Sequence, residues 1–367
     1  MLKIVVVGGG FYGLWISTQL SNSKTEVTVI EKNSELMGEA SMINQARVHN
    51  GHHYPRSYST FASSNRNYDR FLKEFSSTID ECHDPIYLIS DKSKVDKMKF
   101  ERLCNIFQVK LQDIPIRLAD IYKLRYITKG WKVNESYFNS RSLKQQMLNQ
   151  LDLDGVKIIK NSEVISIEEN HNIVKILRVE NGQMISESFN AAVISTYGNI
   201  EMLKGGVNMN LPRLNYQVSE IVNVRVPDYF NGSSITVIDG PFWSLTPWPA
   251  FGNFALSHVR YTPLANFKTH VEAKQFMKQN LDYSNFNLMK KDLIKYHKIF
   301  DKITKIKSYL AIKCLLPKSE SNDSRPILYK FNEKGNILLT IGGKIDNIFD
   351  LSKVLCALQE NIGVSNE

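Results

Sequence analysis

Only four cysteines occur in 367 residues, and Cys82, Cys104, Cys314 and Cys356 stand too far apart to form a C-x-x-C pair. That spacing excludes a zinc knuckle or a dithiol redox motif, so no metal site is expected and the thiols read as free and buried. No apolar run approaches the length needed to cross a bilayer, and no basic leader precedes the apolar stretch that opens at Leu2. The expectation is a cytoplasmic protein with no integral membrane segment. Internal repeats and low-complexity linkers are also lacking, and 43% hydrophobic with 23% charged residues is ordinary globular usage. Acidic residues are outnumbered 37 to 46, which gives a formal charge of +9. The lysines read as scattered rather than clustered, so no nucleic-acid partner is expected, while a positive field suits a small anionic substrate or cofactor.

The length exceeds the usual limit of a single core, and two domains are expected. Residues 2–7 form a short β-branched apolar run of the kind buried on both faces of a parallel sheet. Glycines follow at once, then a helix over 11–20 and a second strand over 26–30 ending on Glu31. Helical spacing recurs over 58–78, 139–151 and 351–360, and strands are expected near 156–159, 164–168, 191–195 and 336–341. Asn181-Gly182, between two alternating runs, predicts a hairpin turn. The alternating segments at 218–226, 234–238 and 253–260 suit a mixed or antiparallel sheet.

Gly8, Gly10 and Gly13 stand in G-x-G-x-x-G spacing between that first strand and helix. Gly8 permits the tight turn, Gly10 lets a pyrophosphate approach the backbone, and Gly13 lets helix and strand pack closely. The phosphates then meet the helix N-terminus. Glu31, close to the expected spacing of about 20 residues, is placed to accept hydrogen bonds from ribose hydroxyls. The pattern establishes dinucleotide binding and argues against a 2′-phosphate, but does not choose between FAD and NAD.

Three further segments make that choice. Residues 40–51 read Ala-Ser-Met-Ile-Asn-Gln-Ala-Arg-Val-His-Asn-Gly, residues 191–198 read Ala-Ala-Val-Ile-Ser-Thr-Tyr-Gly, and residues 335–344 read Gly-Asn-Ile-Leu-Leu-Thr-Ile-Gly-Gly-Lys, with Arg325-Pro326 shortly before. In this order they resemble the D-amino-acid oxidase superfamily of FAD-dependent oxidoreductases. The first is similar to the Asn-Ser-Gly-Val-Ile-His-x-Gly segment of L-2-hydroxyglutarate oxidases and dehydrogenases, with Gln45, Ala46 and Arg47 replacing Ser, Gly and Val. The resemblance implies FAD as cofactor and an α/β fold: a Rossmann-like FAD-binding domain with a second α+β substrate domain built on a mixed or antiparallel sheet. The implied division is 1–82, 136–205 and 323–367 for FAD and 83–135 and 206–322 for substrate. FAD contacts are expected from Gly8, Gly10, Phe11, Tyr12, Gly13, Glu31, Lys32, Ser41, Asn44, Val164, Gly198, Gly342, Gly343 and Lys344.

Oxidising a C–H bond beside a hydroxyl or amine requires a hydride acceptor, a route for the heteroatom proton and a grip on the substrate. His49, His52 and His53 gather three of the eight histidines in the segment that the resemblance places by the flavin. His49 and His53 are the candidate bases, with covalent flavin attachment at His49 as an alternative role. Arg325 is the candidate catalytic arginine through its Arg-Pro resemblance. Arg47, Tyr54, His258 and Arg260 are candidates for holding substrate, since a guanidinium grips a carboxylate bidentately and 258 and 260, at alternate positions of the strand expected over 253–260, face the same side of the sheet. The expected reaction is oxidation of a small 2-hydroxy acid or polyol. A C–N oxidase of an amino acid or amino sugar, and a flavin-binding protein without catalysis, remain alternatives. No motif identifies the electron acceptor.

Overall fold

The structure is a computed structural model and describes residues 1–80, 84–202, 209, 213–240, 242–316 and 326–364. Strand β1 (Leu2–Val7) holds the centre of a six-stranded sheet, with Ile4, Val5 and Val6 fully buried as the apolar run predicts. It pairs in parallel with β2 (Thr25–Ile30) on one side and Ala191–Ile194 on the other. Lys157–Ile159 and Ile337–Ile341 extend the parallel sheet, and Leu328–Phe331 closes one edge in antiparallel fashion. Helix α1 (Phe11–Leu20) has no polar stripe because it is enclosed: Phe11, Leu14, Trp15, Ile16 and Leu20 are all buried. The Asn181-Gly182 hairpin forms as expected, both residues at positive φ, between Ile173–Glu180 and Gln183–Phe189.

A second, eight-stranded sheet is mixed, with the single parallel pair Asp84–Ser90 and Ser233–Ile238. Period-2 alternation gives it two unlike faces. Ile86, Leu88, Ile235, Val237, Trp243, Leu245 and Leu256 pack in one cluster with Phe286, Met289 and Leu293 of the helix Phe286–Tyr296. The intervening Tyr87, Thr236, Ser244 and Ser257 are buried on the other face. Opposite that polar face lies a small three-stranded sheet in which β3 (Arg47–His49) pairs with Glu135–Phe138.

Several expectations shift. Helix α2 (Tyr58–Glu74) ends earlier than position 78, where a 3-10 turn takes over. The strand Asn253–His258 stops before residue 260. Among the described cysteines Cys104 is buried, Cys314 half-buried and Cys356 exposed, so the expectation of buried thiols holds for one of the three.

Two glycine positions fix how the first sheet meets its helix. A Cβ at Gly13 would lie 2.0 Å from the Gly8 carbonyl oxygen, and Gly8 itself has φ of +110°. The Gly8 carbonyl is backbone, so it cannot swing aside. Gly13→Ala is expected to destabilise by about 1–3 kcal/mol as overpacking, whereas Gly38→Ala, whose Cβ meets nothing closer than 3.5 Å, is expected to be near neutral. Thermal unfolding of the two variants checks this, and equal midpoints would refute it.

Candidate active site

Arg47 and His49 sit directly opposite Tyr137 and Glu135 across the β3 pairing, so all four side chains share one face of the small sheet. That face meets the polar face of the large sheet, and the Glu135 carboxylate lies between them, fully enclosed. It accepts from Arg47 Nη2 at 2.9 Å, His49 Nδ1 at 2.7 Å, Tyr87 OH at 2.7 Å and Tyr137 OH at 2.6 Å. Arg47 also donates to Thr236 Oγ1 at 2.9 Å and Ser244 Oγ at 3.2 Å. Burial alone would raise the Glu135 carboxyl, but Arg47 and His49 overcome it and hold the group well below the usual carboxylate range.

This ionised acceptor dictates the protons around it. His49 must present Nδ1–H to Glu135, which leaves Nε2 as a lone pair. Tyr87 spends its hydroxyl proton on Glu135, so His53 Nδ1, 3.1 Å away, donates to the Tyr87 oxygen, and its Nε2 is a lone pair too. The two imidazoles stack at 4.3 Å and 12°. Tyr54 stands edge-on to both, and Lys344 Nζ lies 4.6 Å over the Tyr54 ring. Burial lowers His49 to about 3, against the pull of Glu135 and with further lowering from Arg47. Burial likewise pushes His53 well down and His52 to about 4. His52 is fully enclosed, edge-on to Tyr87 and 4.0 Å from Glu135, with no hydrogen-bond partner among the described residues.

A cavity of about 790 Å³ runs from Glu31, Lys32 and Val164, past Gly8 to Tyr12, to His49, His53, Ser244 and His258. At its first end Glu31 accepts from the Gly9 and Asn33 amides at 2.7 and 2.8 Å. A carboxylate offers about four acceptor sites, so ribose hydroxyls can still be accommodated. A Cβ at Gly10 would meet only Ser41 Oγ, at 3.4 Å, so the backbone here is open to the cavity. Ser41 Oγ accepts from the Phe11 amide at 3.0 Å. Burial and the neighbouring Lys274 lower Lys32 to about 8. An open glycine turn at a helix N-terminus, an acid at one end and a long cavity beyond are what an extended dinucleotide requires.

Most residues singled out in the sequence line this cavity: Phe11, Tyr12, Ser41, Asn44, Arg47, Tyr54, Gly342, Gly343 and Lys344 are among them. Asn44 also bonds locally, accepting from the Ala46 amide at 2.7 Å and donating to the Ser41 carbonyl at 2.8 Å. Tyr12 OH donates to the Lys344 carbonyl at 2.5 Å, joining the first glycine turn to the last. Gly13 does not line the cavity; its lack of a Cβ leaves room for the Gly8 carbonyl. Gly198 is not in the cavity wall, since a Cβ there would meet Cys314 Sγ at 2.7 Å and the His270 ring at 2.8 Å, whereas Thr196, Tyr197 and Asn199 do line it. Arg260 is also outside the wall: its strand ends at His258, and the turn that follows leaves it exposed. Arg47 lines the cavity, but its guanidinium is engaged by Glu135 and three hydroxyls. Arg325 lies outside the described residues.

Glu135 escaped sequence reading. Its one signal is parity: Glu135 and Tyr137 alternate on one strand and so share a face, but nothing in the sequence says that this face is buried.

Fold and cavity together define a dinucleotide-binding oxidoreductase architecture. The family model described as FAD dependent oxidoreductase matches residues 3–340. The chain belongs to this family, within the D-amino-acid oxidase superfamily, and is an FAD-dependent oxidoreductase with FAD as its cofactor. It is 24% identical over 364 residues to the FAD-dependent monooxygenase FPY4 of Fusarium mangiferae, covering 94% of this chain and 87% of that protein. Its fold is similar to glycine oxidase from Geobacillus kaustophilus, with TM-score 0.72, 13% identity and coverage of 100% and 96%. It is also similar to L-alpha-glycerophosphate oxidase from Mycoplasma pneumoniae, with TM-score 0.70, 13% identity and coverage of 99% and 95%. Among the described residues no helix is long and apolar enough to cross a membrane, and no cluster of metal-ligating side chains occurs.

The histidine shifts set a pH dependence. His49, His52 and His53 bind protons more weakly in the folded chain than in the unfolded one, so unfolding takes up protons below the ordinary histidine value of 6.5. Stability is therefore full above pH about 6.5 and falls on acidification toward about 4, by about 1.4 kcal/mol per pH unit for each histidine. The melting temperature should drop steeply across that window, and a flat profile from about pH 7 to 5 would contradict the buried neutral cluster.

Proposed function

We propose that the protein oxidises the C–OH bond of a small 2-hydroxy acid, with His49 Nε2 accepting the hydroxyl proton. The observation that carries this is the 2.7 Å bond between His49 Nδ1 and the enclosed Glu135 carboxylate, which leaves Nε2 as an acceptor in a ring that borders the cavity. Bound FAD supplies the two-electron acceptor for the hydride leaving carbon. As the carbonyl forms, the hydroxyl proton passes to Nε2, and Glu135 across the ring stabilises the imidazolium.

Charge favours an anionic substrate over a neutral polyol. Away from Glu31, Glu35, Glu39 and Glu163, the charged side chains of the cavity wall are Arg47, Arg56, Lys94, Lys313 and Lys344, all basic, of which Arg47, Arg56 and Lys344 are ion-paired with Glu135, Asp239 and Asp346. A substrate carboxylate also brings negative charge close to His49 and raises its proton affinity from the low value that burial imposes. Arg47 is assigned to holding Glu135 rather than substrate, and Tyr54 borders the substrate; His258 lines the cavity, but its Nε2 lies 3.5 Å from Asp292 of the helix Phe286–Tyr296, so its ring is given no substrate role. The division into an FAD domain and a substrate domain is retained at the boundaries read from the sequence.

A second reading, oxidation of an amino acid at its C–N bond, is supported by the fold similarity to glycine oxidase and needs the same base and the same cationic wall. Anaerobic mixing of the purified yellow protein with 2-hydroxy acids, amino acids and polyols distinguishes the readings by which of them bleaches the visible absorption. Ammonia release identifies the C–N reaction, and bleaching by polyols alone would refute an acid substrate. His49→Ala is expected to lower kcat by about 10²–10⁴-fold with flavin content unchanged. Wild-type turnover in that variant would remove His49 from the chemistry.

A further inference from the structure

The excess positive charge is concentrated, contrary to the scattered pattern first read from the sequence. Residues 278–307 hold eight lysines against three aspartates, a net +5 of the +9 carried by the whole chain. This segment contains the helix Phe286–Tyr296 and the 3-10 turn Lys298–Lys302, which cover the back of the large sheet. The helix buries Phe286, Met289, Leu293 and Tyr296 against the sheet, and that spacing turns Leu288, Lys291 and Lys295 outward as one stripe. The neighbouring Lys278, Lys298, Lys302 and Lys305 are exposed as well, whereas Lys307 projects from the other face of its strand, over the Tyr309 ring.

Apolar side chains stand among these lysines. Leu281 is 63% exposed, Tyr283 49% and Leu288 46%, at the tip that leads into the helix. Exposed leucine and tyrosine ringed by lysine is the composition of a surface that seats in the headgroup layer, where aromatic rings prefer the interface and lysines meet anionic lipid. The geometry also keeps the active site accessible. Val222, Leu245 and Leu256 face this helix layer, while Ile221, Ser244 and Ser257, adjacent on the same strands, face the cavity.

We infer that this layer docks the enzyme peripherally on an anionic phospholipid surface, with Leu281 and Tyr283 dipping into the headgroups and the exposed lysines of 278–305 meeting lipid phosphates. The attachment involves no spanning segment and is independent of the role given to His49. Each lysine near the surface contributes about fivefold to partitioning, so reversing three of them is expected to weaken binding by about a hundredfold or more.

The test is co-sedimentation of the flavin-loaded full chain with phosphatidylcholine vesicles prepared with and without phosphatidylglycerol, at low and high salt. Sedimentation only with the anionic vesicles, reversed by salt, is expected. The triple variant Lys291→Glu, Lys298→Glu, Lys302→Glu should remain in solution with its visible spectrum and turnover intact. The pair Leu281→Ser, Tyr283→Ser should bind several-fold more weakly. Equal recovery with both vesicle types, or undiminished binding by the triple variant, overturns the proposal. It is also overturned if duplex DNA is bound as tightly and the Leu281, Tyr283 pair changes nothing, because that outcome describes a general polyanion surface.

Discussion

A single enclosed carboxylate organises this candidate active site. An isolated charge at Glu135 would be prohibitively costly to desolvate, and it is tolerated because Arg47, His49, Tyr87 and Tyr137 all donate to it. Those donors come from two different sheets, so satisfying the carboxylate clamps the small sheet to the polar face of the large one. The same requirement fixes the proton positions. With Arg47, His49, Tyr87 and Tyr137 donating inward, His49 and His53 have one available tautomer each, and both turn an acceptor nitrogen away from the hub.

The large sheet shows how strand alternation divides labour. Leu245 and Leu256 anchor a helix on one side, while Ser244 and Ser257, one residue away, face the cavity. Burial on both sides is compatible with hydroxyls only where something satisfies them, and Arg47 does so for Ser244 and Thr236. Gln45 extends the pattern, donating to Ser257 Oγ at 2.7 Å. The segment 44–49 thus joins the glycine-turn end of the cavity to the polar face of the large sheet residue by residue.

Legibility in the sequence followed the range of the interactions. The glycine turn, Glu31 and the flanking strands are local, their spacing is imposed by covalent geometry, and they were readable directly. Resemblance carried the later glycines at 342 and 343, which the fold brings beside Tyr12 although some 330 residues separate them. Glu135 was not legible, because a glutamate in Trp-Lys-Val-Asn-Glu-Ser-Tyr-Phe looks like an ordinary exposed strand position until its partners are known. Arg260 failed for the opposite reason: alternation placed it beside His258, but the strand ended first, and no residue in Val259-Arg260-Tyr261 announces that end. The clustering of lysines in 278–307 needed no structure at all, only a count by segment, yet its meaning depended on learning that the helix there covers the back of a sheet.

The departures of segment 44–51 from the hydroxyglutarate-type pattern can now be weighed. Ala46 adopts φ of +54° where that pattern has glycine, a conformation costing about 1–2 kcal/mol for a residue with a Cβ, and it is held by its amide donating to Asn44 Oδ1 and its carbonyl accepting from the Phe138 amide. The next residue is Arg47, where the pattern has valine. A buried arginine and glutamate contribute little to stability compared with apolar residues of the same volume, and a partly satisfied set is worse than none. Stability therefore gives no account of an arginine, a glutamate, two tyrosines and two hydroxyl residues assembled at this one point. Their shared effect is on His49, whose ring they orient and whose proton they place. A flavin-binding protein without catalysis has no use for that arrangement, and an oxidoreductase that must move one proton at a defined atom does.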